Sequence, residues 1–302
     1  MSNRRTGWTR REWLQTTAAR TLQAAALAGS RADAAAPLRL GVQLYTVREL
    51  LKTRAEVTLQ AIAAIGYKEL EVGRTDLAHL VPVAKTLGLT SVSTHMEAPL
   101  VTGNWDAWAS AAGSTPAADR SLAKALETVR THGVTYAVVS YLQPAERGTT
   151  AAGYEKFADQ LNRAGETARA AGVTLAYHNH GFEFAEQDGR VPYDIVLKDT
   201  DPKLVKLQLD LYWLSHDSKQ TPHAWFQRAP GRYVMWHVKD MHKVSRDYTE
   251  LGNGTIDYTR IWPDAALSGM KHFFVEQGGN FAQDPMRSVE DCAAYVKRNL
   301  LK

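Results

Sequence analysis

The chain has 302 residues, 44% hydrophobic and 23% charged, which is globular composition and excludes a disordered protein. Its formal charge of +4 comes from residues 1–36, where Arg4, Arg5, Arg10, Arg11, Arg20 and Arg31 face only Glu12 and Asp33. Setting these aside turns 36 basic and 32 acidic residues into 30 and 30, a neutral body with no electrostatic footprint for nucleic acid.

In chain order, Thr9-Arg10-Arg11-Glu12-Trp13-Leu14-Gln15 reads as a twin-arginine export signal. A mildly apolar run follows from Thr16 to Gly29, and Ala32-Asp33-Ala34 offers a small-x-small cleavage site. Residues 1–36 are therefore expected to be an export leader with a short linker, and residues 37–302 the mature domain in the periplasm or beyond. Arg20 interrupts the apolar run, so a basic tail or amphipathic helix is the competing reading. The segment is too short and too polar for a stable membrane anchor.

From Leu38 onward, eight short apolar runs alternate with amphipathic helical patterns. The runs are Leu38–Tyr45, Glu69–Val72, Thr90–His95, Thr135–Tyr141, Val173–His178, Lys206–Leu211, Tyr233–Val238 and His272–Glu276. Helical patterns between them include Ala55–Ile65, with apolar Val57, Leu59, Ile62 and Ile65, and Tyr154–Ala171. Eight such units predict a single (β/α)₈ TIM barrel. A doubly wound open sheet would show a glycine-rich phosphate turn after its first strand. Here the first strand runs into Leu44-Tyr45-Thr46-Val47-Arg48. The longest irregular stretches, Glu97–Thr115 and Met241–Asp257, both follow strands and so should overlie the catalytic face. The single cysteine, Cys292, leaves neither an intrachain disulfide nor a cysteine-based zinc site.

The strand ends carry the functional signal. Glu71, His95, His178 with His180, Asp210, His237 and Glu276 close six of the runs. A buried parallel strand should be nearly all apolar, and an isolated buried charge costs several kcal/mol. One such residue alone is ordinarily a hydrogen-bonded structural group or a helix N-cap. Coincidence on separate strands has no shared structural cause, and in a barrel these positions converge. Imidazoles with carboxylates make a mixed site for one divalent metal ion, Mn, Zn, Fe, Co or Mg. Glu69 is expected to face outward, and His223 and His242 to lie on the surface.

The stretches "LGVQLYTVRE", "GYKELEV", "YHNHGFEF", "LDLYWL", "HVKDM", "LGNGTIDY" and "FFVEQGGN" span Leu40 to Asn280. In them the chain resembles the xylose-isomerase-like TIM barrels of the sugar phosphate isomerase/epimerase type. That resemblance implies a metal held at the ends of strands five to eight, here by His178, Asp210, His237 and Glu276. Epimerases of this group place a glutamate at the strand-five position, where this chain has His178. His180 shares its face and stays open as the ligand. Losing the symmetrical glutamate pair shifts the expectation from epimerisation toward the chemistry of the similar inosose dehydratases and 3-keto-sugar hydratases or lyases.

The expected chemistry is proton abstraction next to a carbonyl of a small sugar or keto-sugar. Glu276 would serve as ligand and base. Glu71, His95, His180 and Lys239 are candidates for proton transfer and hydroxyl recognition, and Tyr45, Trp213 and Tyr212 for stacking on the sugar. Two other classes compete. An apurinic-site endonuclease of related fold would need a histidine three residues after Asp210, where Trp213 stands. A non-catalytic periplasmic sugar-binding protein would have two hinged lobes and no metal. Oligomeric state stays open, a homo-oligomer included.

Overall fold

The computed structural model describes residues 37–109 and 115–301, so the expected leader lies outside the described residues. Eight strands, β1 (Leu40–Gln43), β2 (Glu69–Gly73), β3 (Thr90–Met96), β4 (Tyr136–Val139), β5 (Thr174–His178), β6 (Val205–Asp210), β7 (Met235–Val238) and β8 (His272–Val275), form the sheet. Each pairs in parallel with its sequence neighbour, and β1 closes against β8 through Leu40↔Phe273, Gly41↔Phe274 and Val42↔Val275. The fold is the single (β/α)₈ barrel that the alternation of runs predicts. No helix among the described residues is long and apolar enough to cross a membrane.

The helices follow the strands. The first, α1 (Arg48–Ile65), buries Leu59 and Ile62 but leaves Val57 in solvent, 61% exposed. Gly66 ends it in the left-handed region (φ 107°), its N–H returning to the Ala63 and Ile62 carbonyls. β1 and β6 end earlier than their apolar runs because a polar side chain turns the chain. Gln43 Oε1 accepts the Tyr45 N–H at 3.0 Å, so Leu44–Val47 coil into a 3₁₀ turn. Asp210 Oδ1 accepts the Trp213 N–H at 3.0 Å, so Leu211 begins helix α2 (Leu211–Asp217) instead of extending β6.

The barrel interior is split by polarity. Val92, Tyr136, Val138, Ala176, Val234, Met235 and Phe274 pack as one apolar plug in its lower part. Gly41 admits Phe274 to that plug: a Cβ there would lie 2.4 Å from the Phe273 carbonyl oxygen and 2.8 Å from the Phe274 ring. Glu69 corrects an expectation. It is buried and accepts from His272 Nδ1 at 2.8 Å, across β1. Residues two apart on a strand share a face, so Glu69 belongs inside with Glu71. His223 and His242 are exposed, His223 beside Asp264 at 2.8 Å.

The Met241–Asp257 loop is organised around Asp240, which is 1% exposed. Its Oδ1 accepts the N–H groups of Met241 (2.8 Å) and Ile256 (3.0 Å). Its Oδ2 accepts those of Gly252 (2.9 Å) and Gly254 (3.1 Å). This clip folds the loop back as a short ribbon, Asp240–Met241 against Tyr248–Thr249, and delivers Tyr248 to the mouth of the barrel.

Candidate active site

Above the apolar plug the inward positions become polar. The period of two that places Asp210 inside also places Gln208 there, and likewise His237 with Lys239 and Ser93 with His95. The deepest group is Glu71, fully buried. It accepts from Gln43 Nε2 (2.9 Å), Ser93 Oγ (2.5 Å), Gln208 Nε2 (2.7 Å) and His237 Nε2 (2.5 Å), and His95 Nε2 lies 3.0 Å away. Burial would raise its pKa, but His95 and His237 outweigh burial and hold it far below the carboxylate range. Among the candidates for proton transfer and hydroxyl recognition, Glu71 lies below the cavity lining, and its side-chain hydrogen bonds go to neighbouring side chains.

One tier higher, Asp210, His237 and Glu276 each present a donor atom within 4.8 Å of the others. His237 joins the tiers, with Nε2 toward Glu71 and Nδ1 3.1 Å from Glu276 Oε2. Burial would lower its pKa, but Glu71 and Glu276 raise it to about 9. Lys239 Nζ lies between the carboxylates, 2.7 Å from Asp210 Oδ2 and 2.5 Å from Glu276 Oε2. Burial opposes its charge, yet Asp210 and Glu276 raise its pKa, so it remains an ammonium. Glu276 is held well below its ordinary pKa by Lys239 and His237 against the burial that would raise it. Asp210 is raised, burial outweighing Lys239 and His237.

His178 lies with its Nε2 3.7 Å from Asp210 Oδ2, and forms a second close set with His95 and His237. His180 falls in neither set; it stands at the cavity wall between Tyr141 and Trp213, ring centroids 4.8 and 5.6 Å away. Both histidines are held well below their ordinary pKa, mainly by burial, and are neutral imidazoles. Each has a buried Nδ1 with no hydrogen-bond partner among the described residues. A fully buried side-chain nitrogen without a partner is costly unless something else engages it. Together with two carboxylates already converging on a cation, this donor set fits a divalent metal ion held by Asp210, His237 and Glu276, with His178 beside them.

Several residues that build the site were not among the strand-end candidates. Gln43 and Gln208 are neutral amides, but their spacing of two from other inward positions marks them. Asn179 is buried where the β5–β6 ladder stops. Its Oδ1 accepts the Asp210 N–H at 3.0 Å, which extends the ladder by one side chain and fixes His178 beside Asp210. Glu183, also fully buried, accepts the His180 N–H at 2.9 Å and the Tyr177 hydroxyl, and burial raises its pKa to about 7. The cavity above these groups has a volume of ≈ 840 Å³. His95, His178, Lys239 and Glu276 line its floor; His180, Tyr45, Trp213, Tyr141 and Tyr248 form much of its wall. Tyr212 stands behind that wall, its hydroxyl donating to the Arg246 carbonyl at 2.8 Å.

The strand-end constellation and the closed barrel agree with a match to the model of the xylose isomerase-like TIM barrel family over residues 59–277. The chain belongs to that family. Among curated relatives it is similar to inosose dehydratases. One from Lacticaseibacillus casei is 26% identical over 152 residues, covering 45% of this chain and 49% of the relative. One from Geobacillus thermodenitrificans is 26% identical over 147 residues, covering 42% and 46%. The chain thus spans about half the length of the curated relatives it matches. A solved sugar phosphate isomerase/epimerase from Parabacteroides distasonis aligns with TM-score 0.72 and 24% identity, over 90% of this chain and 98% of that one. The IOLI protein with a bound zinc atom aligns with TM-score 0.65 and 18% identity, over 87% and 98%. At these identities the solved structures establish the shared fold.

Proposed function

We propose that the protein is a divalent-metal-dependent enzyme that removes the proton next to a carbonyl of a sugar or keto-sugar, with dehydratase, hydratase or lyase chemistry favoured over epimerisation. The observation that carries this reading is the convergence of Asp210, His237 and Glu276 within 4.8 Å, beside two neutral histidines with unpartnered nitrogens. The partial likeness to inosose dehydratases and the solved zinc-bound relative support it. A bound ion would polarise the substrate carbonyl as a Lewis acid and acidify the neighbouring C–H.

The chain's own groups supply the rest. His180 is neutral and lines the cavity, so its imidazole is the first candidate to accept the proton. Lys239 is a fixed ammonium at the floor and can donate a hydrogen bond to oxygen as negative charge develops. Glu276, deprotonated and cavity-lining, is the second base candidate. Trp213 and Tyr248 shield this end from water. Glu71 keeps His237 turned so that Nδ1 faces Glu276.

The test is NMR of metal-loaded protein with inososes and 3-keto-glucosides in D₂O, which separates C–H exchange, loss of water and loss of aglycone. His178→Ala should weaken metal binding by one or more orders of magnitude. His180→Ala should retain metal and lose turnover. The reverse outcome would make His180 the ligand; normal metal binding and turnover in both would remove the site assignment on strand five.

A further inference from the structure

The cavity is larger than one sugar needs. Even at a water's share of liquid volume, ~30 Å³ for each of about twelve heavy atoms, a hexose takes at most about 360 Å³. That is less than half of ≈ 840 Å³. The remainder extends from the polar floor over the segments after β1, β2 and β3. There the lining turns to Tyr45, Leu51 and Trp108, with Asp76 and His79 beside them. None of these residues has a part in the proposed proton transfers.

Two of them are built as rigid flat walls. Tyr45 is 53% exposed, an unusual setting for a large aromatic side chain in this protein. The Arg48 guanidinium lies 4.0 Å from the centre of its ring, covering one face and steadying it. Trp108 is pinned by its Nε1–H, which donates to Glu146 Oε2 at 2.5 Å. The cations at this rim have partners of their own. Arg48 donates to the carbonyls of Tyr45 (2.9 Å) and Gly278 (3.3 Å), and Lys52 holds both Glu49 oxygens at 2.8 Å. The open face of Tyr45 and the pinned Trp108 ring give a flat apolar ring a stacking surface.

We infer that the ligand is a glycoside, with the reacting sugar on the polar floor and a second ring against Tyr45, Leu51 and Trp108. The inference rests on the sugar chemistry proposed above and adds the second ring. An aryl group and a second pyranose both present a flat apolar face, and the two are separated by experiment. Unreactive methyl β-glucoside, phenyl β-glucoside, cellobiose and glucose 6-phosphate are titrated calorimetrically into metal-loaded wild type and Tyr45→Ala. Phenyl β-glucoside or cellobiose should bind wild type at least tenfold more tightly than methyl β-glucoside, about 1.4 kcal/mol. Tyr45→Ala should bring that ratio below about threefold. A ratio near one, tighter binding of glucose 6-phosphate, or no glycoside binding overturns the inference. Deuterium exchange into keto-sugars is followed in parallel. Exchange without a ring preference leaves the proposed chemistry standing and removes the second-ring site; a ring preference without exchange does the opposite.

Discussion

Asp240 should be among the residues on which the upper face of the barrel most depends. Its carboxylate holds four backbone N–H groups, from Met241, Gly252, Gly254 and Ile256. Hydrogen bonds to a charged group contribute about 1.5–3 kcal/mol each, and a buried donor left alone costs about 1–3 kcal/mol. Met241 and Ile256 are buried and would stay unpaired in Asp240→Ala, whereas Gly252 is exposed and Gly254 half-buried, so water can reach them. The expected loss is therefore about 4 kcal/mol, a large share of the roughly 5–15 kcal/mol that stabilises a typical domain. Asp240→Asn keeps one acceptor oxygen and should lose about half as much. Gly254→Ala attacks the same clip from the other side, because a Cβ would stand 2.2 Å from Asp240 Oδ1 and 2.4 Å from the Met241 carbonyl oxygen. If the clip acts as one unit, the Asp240→Ala/Gly254→Ala double variant should cost clearly less than the sum of the single changes. Urea unfolding at fixed pH measures all four. A loss below about 1 kcal/mol in Asp240→Ala, or strict additivity in the double variant, would refute this account.

Glu71→Gln should lower metal affinity about 10–100-fold, the usual cost of losing a partner that orients a ligand. Competition with a metal-binding dye, with circular dichroism to verify the fold, reads this out; unchanged affinity would mean that His237 is oriented without Glu71. Glu183 makes a pH prediction. Its folded pKa of about 7 lies above its ordinary 4.5, so the folded chain binds the extra proton between these values and loses stability as pH rises through that window. Glu183→Gln removes the dependence and should gain roughly 3 kcal/mol on wild type between about pH 4.5 and 7. Urea midpoints across that range test it, and parallel curves for the two proteins would contradict the assigned shift.

The barrel is legible in the sequence because its evidence is repeated: eight apolar runs, each followed by a helical pattern. At Leu44 and Leu211 the runs overshoot the strands because of a side-chain hydrogen bond that composition does not reveal. The polar floor is legible for the same reason as the barrel, since charge on a buried strand stands out against its neighbours. Gln43, Gln208 and Asn179 do not stand out in that way. They are neutral, and their role comes from which carboxylate or backbone group they face. Glu69 was readable from the period of two alone. Tyr248 and Trp108 were not, because loops with no period deliver them. The sequence therefore marks the charged residues of the site more clearly than the neutral ones that aim them.

Asp210 shows what this aiming achieves. One carboxylate oxygen is tethered to the first turn of α2 through the Trp213 N–H, and the other points into the barrel toward Lys239. Tethering freezes the side-chain torsions during folding, so the rotational entropy of that side chain is lost before any ligand arrives. An incoming cation would meet an oxygen already in place and would order less of the protein on binding. The helix that holds the oxygen also carries the Trp213 ring at the cavity wall. A single backbone turn therefore sets both the reach of the acid and the width of the entrance, and neither dimension can drift without the other.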